Sequence, residues 1–278
     1  MNQTGPTLLH LSDLHCGAES IKVWDLVKEG PNKGLWGLAN LRLNPERAFP
    51  LELRQRLLEK VMALDWDICL FSGDLTNVSQ ESEFLAAKKL VDRLATKGRV
   101  LLTAGNHDRY TRASEGRLER CFAGFWPYTE AKSQTIPRYD LSEEHVLLEL
   151  DMAVPQALFS SRGRVRGALD QVREAILACG RKQILVMGHY PIYLPRGISQ
   201  KPLHQLENMA GLGKLLLESG VRYYLHGHLH KSWCFRPSKD YPLVVINSGG
   251  GFRHEAGPKA GCHLLRLGNP DEIVQILP

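Results

Sequence analysis

The sequence has no Cys-x-x-Cys pair, and its six cysteines, Cys16, Cys69, Cys121, Cys179, Cys234 and Cys262, stand far apart in a chain of 278 residues. A chain of this size does not need disulfide staples, so the cysteines read as reduced thiols. No stretch approaches the roughly 18 apolar residues of a membrane span, and residues 1–14 carry neither a basic leading region nor an apolar run of signal-peptide length. These absences set the expectation of a cytoplasmic protein without a transmembrane segment. Internal repeats and low-complexity tracts are also lacking, which argues against a solenoid or a long disordered tail. The formal net charge of +5 is mild. It suits an anionic substrate or an anionic membrane surface but falls short of the footprint of a nucleic-acid binder, so no specific nucleic-acid partner is expected.

Short apolar runs ending in small or polar residues alternate with longer amphipathic stretches, the pattern of strands and crossover helices in an α/β protein. Residues 7–12, 68–72, 100–104 and 183–187 read as strands, and 51–64, 82–94 and 169–178 carry apolar residues at helical spacing. Beyond 221–225, the runs 243–247, 263–267 and 273–277 are β-rich and separated by Gly and Pro turns, which predicts a second sheet formed partly by the C-terminal third. Residues 1–278 are read as one domain. Residues 21–49 interrupt the first crossover, where a few residues would suffice. They mix Trp24, Leu35, Trp36 and Leu41 with Lys22, Lys28, Lys33, Arg42 and Arg47. The segment reads either as a helix packing its apolar side on the domain, or as a substrate cap or basic amphipathic surface making a peripheral lipid or membrane contact on the inner face of the membrane.

Five short motifs stand at the ends of predicted strands: Asp13-Leu14-His15, Gly73-Asp74, Gly105-Asn106-His107-Asp108, Gly188-His189 and Gly227-His228-Leu229-His230. In open α/β sheets ligands bind at the carboxyl ends of strands, so separate turns can aim these side chains at one place. Aspartate oxygen and neutral imidazole nitrogen suit first-row divalent metals, and an asparagine carbonyl adds a hard oxygen without charge. Residues i and i+2 face one site if the backbone is extended, and the glycines allow turns and close backbone approach. Each signal is weak alone; five together, in order, are not easily a coincidence. Asp108 reads as a residue orienting its loop or the His107 ring, or as a turn residue. Arg109 is a candidate phosphate clamp or a solvent-facing arginine, and Cys16 is a small packing residue. His10 and His226 lie on predicted strands as core or supporting groups, while His145, His204, His254 and His263 have no ligand spacing.

This motif series resembles that of the calcineurin-like metallophosphoesterases, and the match runs from Asp13 to His230. The resemblance implies a four-layer α/β/β/α sandwich with two mixed β-sheets. It implies that Asp13, His15 and His230 hold one divalent ion, that Asn106, His189 and His228 hold another, and that Asp74 bridges both. Manganese is the expected metal, with Fe, Zn, Co or Ni also suited to a mixed N/O site. A hydroxide shared by the two ions would attack an anionic phosphoester, with Asp74 and His107 catalytic and Asn106, His107 and Arg109 contacting substrate.

Branches of the family differ in sequence. Gly73-Asp74-Leu75-Thr76-Asn77 lacks the Gly-Asp-x-x-Asp-Arg-Gly extension of the protein Ser/Thr phosphatases. It looks more like the small bacterial enzymes similar to class III cyclic-nucleotide phosphodiesterases, so a phosphodiester or phosphoanhydride is the expected substrate. Residues 33–40, flanked by Arg42 and Arg47, resemble the segment after the first motif in enzymes that cleave the pyrophosphate of UDP-diacylglucosamine during lipid A synthesis. That is the alternative. A catalytically silent interaction scaffold is a third reading, disfavoured because every expected ligand and His107 are present.

Overall fold

The protein is described here from a computed structural model, which covers residues 5–29, 33–43, 51–125, 136–250, 261–268 and 271–277. Arg47 and His254 lie outside the described residues. In chain order, β1 (Thr7–Leu11) leads into α1 (Val23–Lys28) and α2 (Lys33–Leu43), then α3 (Leu51–Ala63), β2 (Ile68–Phe71), α4 (Glu81–Ala95), β3 (Arg99–Leu102) and α5 (Arg117–Cys121). There follow β4 (Arg138–Asp140), β5 (His145–Glu149), α6 (Leu169–Leu177), β6 (Gln183–Met187), α7 (Met209–Glu218), β7 (Tyr223–His226), β8 (Trp233–Phe235), β9 (Val244–Asn247), β10 (Cys262–Arg266) and β11 (Glu272–Ile276).

The strands form two mixed sheets. One has the order β11-β10-β1-β2-β3 and the other β4-β5-β6-β7-β9-β8. In the first, β1, β2 and β3 run parallel and β10 is antiparallel to β1. In the second, β5, β6, β7 and β9 run parallel between antiparallel edges. The period-two alternation of side chains assigns each strand residue to one of two apolar layers. In β2, Ile68 and Leu70 face the other sheet while Cys69 and Phe71 face α3 and α4; in β6, Leu185 and Met187 face inward while Ile184 and Val186 face α6 and α7. Strands buried on both faces are therefore continuous apolar runs, as parallel sheets between helices require. The result is the expected α/β/β/α sandwich.

The C-terminal third does not go wholly to the second sheet. The strands β7, β8 and β9 do, but β10 returns to pair with β1, His10 opposite His263, and β11 pairs outside it. Turn signals and β-propensity locate strands without saying which edge receives them, and the free edge of β1 was available.

Helices α1 and α2 build a small apolar cluster of Ile21, Leu26, Leu38 and Val78 with Leu35, Leu41 and Tyr110 around it. The inserted segment thus packs on the domain, yet leaves Trp24 76% and Trp36 63% exposed. No helix of the described residues is long and apolar enough to cross a membrane.

At the end of β5 the apolar filling gives way to a buried carboxyl, Glu149, whose Oε2 accepts from the Tyr139 hydroxyl at 3.2 Å. Burial, and then Asp151 beside it, push this carboxyl from 4.5 up to about 8. The folded protein therefore keeps a proton that the unfolded chain releases, and stability falls as pH rises through that window. Glu149→Gln, uncharged at every pH, should reduce the loss of melting temperature between about pH 5 and about pH 9. A wild-type slope in the variant would show that Glu149 is not the group responsible.

Candidate metal centre

The parallel strands of both sheets end on the same side, and the five motifs follow those ends. The first sheet delivers Asp13 and His15 after β1, Asp74 after β2 and Asn106 after β3; the second delivers His189 after β6, and His228 and His230 after β7. Among the described residues, the donor atoms of Asp13, His15, Asp74 and His230 all lie within 4.8 Å of one another, as do those of Asp74, His189 and His228. Asp74 is common to both groups. Asn106 joins the second, its Oδ1 lying 3.2 Å from His189 Nε2 and 2.8 Å from His228 Nδ1.

Further separations are His189 Nε2 to Asp74 Oδ2 at 3.2 Å, His230 Nε2 to Asp13 Oδ1 at 3.2 Å, and His15 Nε2 to His230 Nε2 at 3.2 Å. Ligands about 2.1 Å from one ion and at right angles to each other are separated by about 3 Å, so the donor sets fit divalent cations. The imidazoles are oriented for this by their second nitrogens. Thr76, Ser72 and His204 present backbone oxygens to His15 Nδ1 at 2.9 Å, His189 Nδ1 at 2.7 Å and His228 Nε2 at 2.9 Å. Each carbonyl accepts from an N–H there, which leaves the other ring nitrogen as the lone-pair donor.

Charge follows the same logic. Asp13, Asp74 and His189 are shielded from water. Burial raises the Asp13 carboxyl, but His230 and His189 together outweigh it and hold the group at about 2. Asp74 is likewise held well below its usual range against burial, by His189, His107 and His15. Burial lowers His189, yet Asp74 and Asp13 draw it up to about 9. The two carboxylates thus stay ionised and concentrate negative charge where a cation would sit.

The backbone is bent to make this geometry. Asp13, His15, Asp74, His228 and His230 all have positive φ, at 52°, 44°, 58°, 76° and 50°. The extended i, i+2 arrangement expected from the sequence does not occur. Left-handed turns send His228 and His230 to different donor groups instead, and such strained residues persist only where neighbours over-determine them. Bracing is dense: Asp13 N donates to the Gly73 carbonyl at 2.9 Å, His15 N to that of Asp74 at 3.1 Å, and His228 N to both Asp13 oxygens at 3.0 Å. At Gly105 a Cβ would collide with Asp74, and at Gly227 with Ser12 and Asp13, so those turns admit only glycine.

Asp108 takes the loop-orienting role. Its Oδ1 accepts from Thr76 N at 3.0 Å and its Oδ2 from Gly105 N at 3.0 Å, tying two ligand loops together. Burial, then Asp74, push it up to about 6. Asn77 and Glu83 do similar work unpredicted: Asn77 Nδ2 donates to the His15 and Cys16 carbonyls, and Glu83 Oε1 accepts from Asn77 N at 2.8 Å. The Gln80-to-Glu83 capping box at the start of α4 was the available signal. Cys16 is a buried packing residue, its thiol pushed up to about 12 by burial. His10, His145, His226 and His263 are buried outside both donor groups.

His107 is partly buried, edge-on to His15 at 4.8 Å and stacked on Tyr110 at 5.1 Å. Its Nδ1 meets the Asn77 carbonyl, which leaves Nε2 for the cleft. That cleft, of about 560 Å³, is lined by Asp74, Asn106, His107, His228 and His230, and also by Lys33, Trp36, Phe159 and His204. His204, without ligand spacing in the sequence, is brought in by the loop before α7.

Arg109 is the exception. Only 3% exposed, its Nη2 lies 2.8 Å from both Asp151 Oδ2 and Glu119 Oε1, facing away from the cleft. The expected phosphate contact is corrected to a structural ion pair: two carboxylates on the far side attract it more strongly than open solvent would.

A family model described as calcineurin-like phosphoesterase matches residues 6–232. The chain belongs to that family. Among solved structures it is similar to a putative 5′-nucleotidase from Staphylococcus aureus, with TM-score 0.56, 15% identity, and 98% of this chain and 54% of that chain covered. It also resembles a 5′-nucleotidase precursor from Thermus thermophilus (TM-score 0.51, 14% identity, 98% and 54% covered). TT1561 from the same organism is covered end to end (TM-score 0.51, 12% identity, 98% and 99%). The chain spans about half the length of the two nucleotidase chains. No curated protein sequence matches it. At such identities the likeness concerns the fold, and family membership carries the phosphoesterase assignment and its metal dependence.

Arg109→Met should lower stability by on the order of 3 kcal/mol in a denaturant titration, because Asp151 is left with Arg166 alone at 3.1 Å. A large rise in KM with unchanged stability would instead return Arg109 to the substrate.

Proposed function

We propose that the protein is a dinuclear-metal phosphoesterase acting on a phosphodiester or phosphoanhydride. The observation that carries this reading is the position of Asp74, whose carboxylate belongs to both donor groups at once. Asp13, His15 and His230 would complete one site, and Asn106, His189 and His228 the other, with manganese as the first metal to try. When bound, the ions would polarise the phosphoryl group and acidify the attacking water. The chain's own residues do the rest. Asn106 and His107 position the phosphoryl oxygens, and His107 Nε2 delivers a proton to the leaving oxygen.

A second reading rests on the apolar surface beside the cleft. Trp36 and Phe159 are exposed there, Trp24 and Leu43 are exposed on the same inserted helices α1 and α2, and α2 forms part of the cleft wall. We read α1 and α2 as a cap inserted in one domain, suited to an acylated substrate such as a UDP-diacylglucosamine-like pyrophosphate met at a membrane surface.

Metal analysis followed by hydrolysis of bis(nitrophenyl) phosphate with added Mn²⁺ tests the main reading; folded protein with neither metal nor turnover would favour a scaffold. His107→Ala should lower kcat by about 10² to 10⁴ on an alkyl ester and far less on a nitrophenyl ester, whose leaving group needs no proton. Equal losses on both would remove the acid role.

A further inference from the structure

One wall of the cleft is a single stripe of α2. Lys33, Trp36, Gly37 and Asn40 recur at three- and four-residue spacing, share a helix face, and all line the cavity with Asp74, His107 and His204. The helix lies close because Gly37 has no side chain: a Cβ there would stand 2.7 Å from Val78 Cγ1 and 2.8 Å from Tyr110 Cε1. Lys33 is the first residue of α2, whose first turn contains no acidic residue. A cation at that end opposes the helix dipole, so the position does not serve helix stability.

The ammonium is nonetheless held in place. Its Nζ donates to the Ser160 carbonyl at 2.6 Å and lies 4.4 Å over the Tyr110 ring, which in turn stacks on His107. Among the described residues no carboxylate lies within ion-pair distance of it. Burial pushes the group down to about 8, against the pull of Asp74. Two of its three N–H donors remain for another acceptor. A partly buried cation that has no counter-ion among the described residues and lines the cavity is a site for negative charge. Asp74, Asn106 and the ligand imidazoles lie across the same cavity, so this charge would be additional to the phosphoryl group undergoing cleavage.

We propose that Lys33 binds a second anionic group of the substrate, so that the protein prefers diphosphate-bridged esters to singly charged diesters. This rests on the phosphoesterase reading above. It narrows that reading to substrates with a phosphoryl group adjacent to the cleaved bond, and Trp36 and Phe159 at the rim would flank the organic group beyond it.

The test compares kcat/KM for a dinucleoside diphosphate and the matching dinucleoside monophosphate, using the metal-loaded full chain and the variants Lys33→Met and Lys33→Arg. The wild type should prefer the diphosphate. In Lys33→Met that preference should fall by about ten-fold or more, mainly through KM, and Lys33→Arg should keep most of it. Metal content and melting temperature establish that the variants are folded, and Lys33→Gln serves if Lys33→Met loses its metal. A preference in the variant within about two-fold of wild type overturns the proposal and leaves the phosphoesterase reading standing. Absence of hydrolysis of either ester by the metal-loaded wild type removes both.

Discussion

Two aspartates shielded from water, Asp13 and Asp74, set the terms for the whole structure. A buried carboxylate is tolerated only when its charge is answered, and here the answer comes from imidazoles and backbone N–H groups rather than from arginine or lysine. His230 lies 3.2 Å from Asp13 and His189 3.2 Å from Asp74, while His228 N and His107 N donate to the two carboxylates. Neutral donors and titrating rings leave net negative charge in place, where a permanent cation would have cancelled it. Arg109, three residues after Asn106, spends its charge elsewhere, on Asp151 and Glu119.

Holding that arrangement requires a backbone that ordinary strands do not provide. Five candidate ligands occupy left-handed conformations, each of which costs of order 1–3 kcal/mol unless the surroundings enforce it. The enforcement is local and polar. Asp108 and Glu83 act as buried braces, each accepting backbone N–H groups from a ligand-bearing loop. The apolar layers below supply the fixed platform, because each strand is filled on both faces up to the residue where its ligand loop begins.

This division explains how much was legible in the sequence. Apolar runs such as 68–72 and 183–187 reveal buried strands, and motifs after them reveal donors, because residue type and position suffice for both. Short or amphipathic elements were missed, β4, β8, α5 and α7 depending on neighbours for their place, and so was the buried strand β5, whose apolar run is bounded by His145 and Glu149; the return of β10 to β1 is decided by a free edge rather than by composition. At the site, the candidate donors that the structure brings together are marked by residue type. Residues that act by position are not: Lys33, His204 and Asn77 have no spacing that marks them, Glu83 is marked only as a helix cap, and the contact of α2 with Tyr110 is a matter of three-dimensional packing. Arg109 was misjudged for the same reason, since its partners lie 10 and 42 residues away.

The origin of the donors has a mechanical corollary. Asp13, His15, Asp74 and Asn106 are carried by one sheet, and His189, His228 and His230 by the other, and each donor group draws on both. An ion in either group would be a rivet through two plates that otherwise meet through a greasy layer and scattered hydrogen bonds, such as those of Tyr223 to Asp271 at 2.6 Å and Ser248 to the His10 carbonyl at 3.1 Å. Sliding one plate over the other would then have to shear coordination bonds at the rim, so the grip of the layers on each other and the occupancy of the cleft become a single quantity.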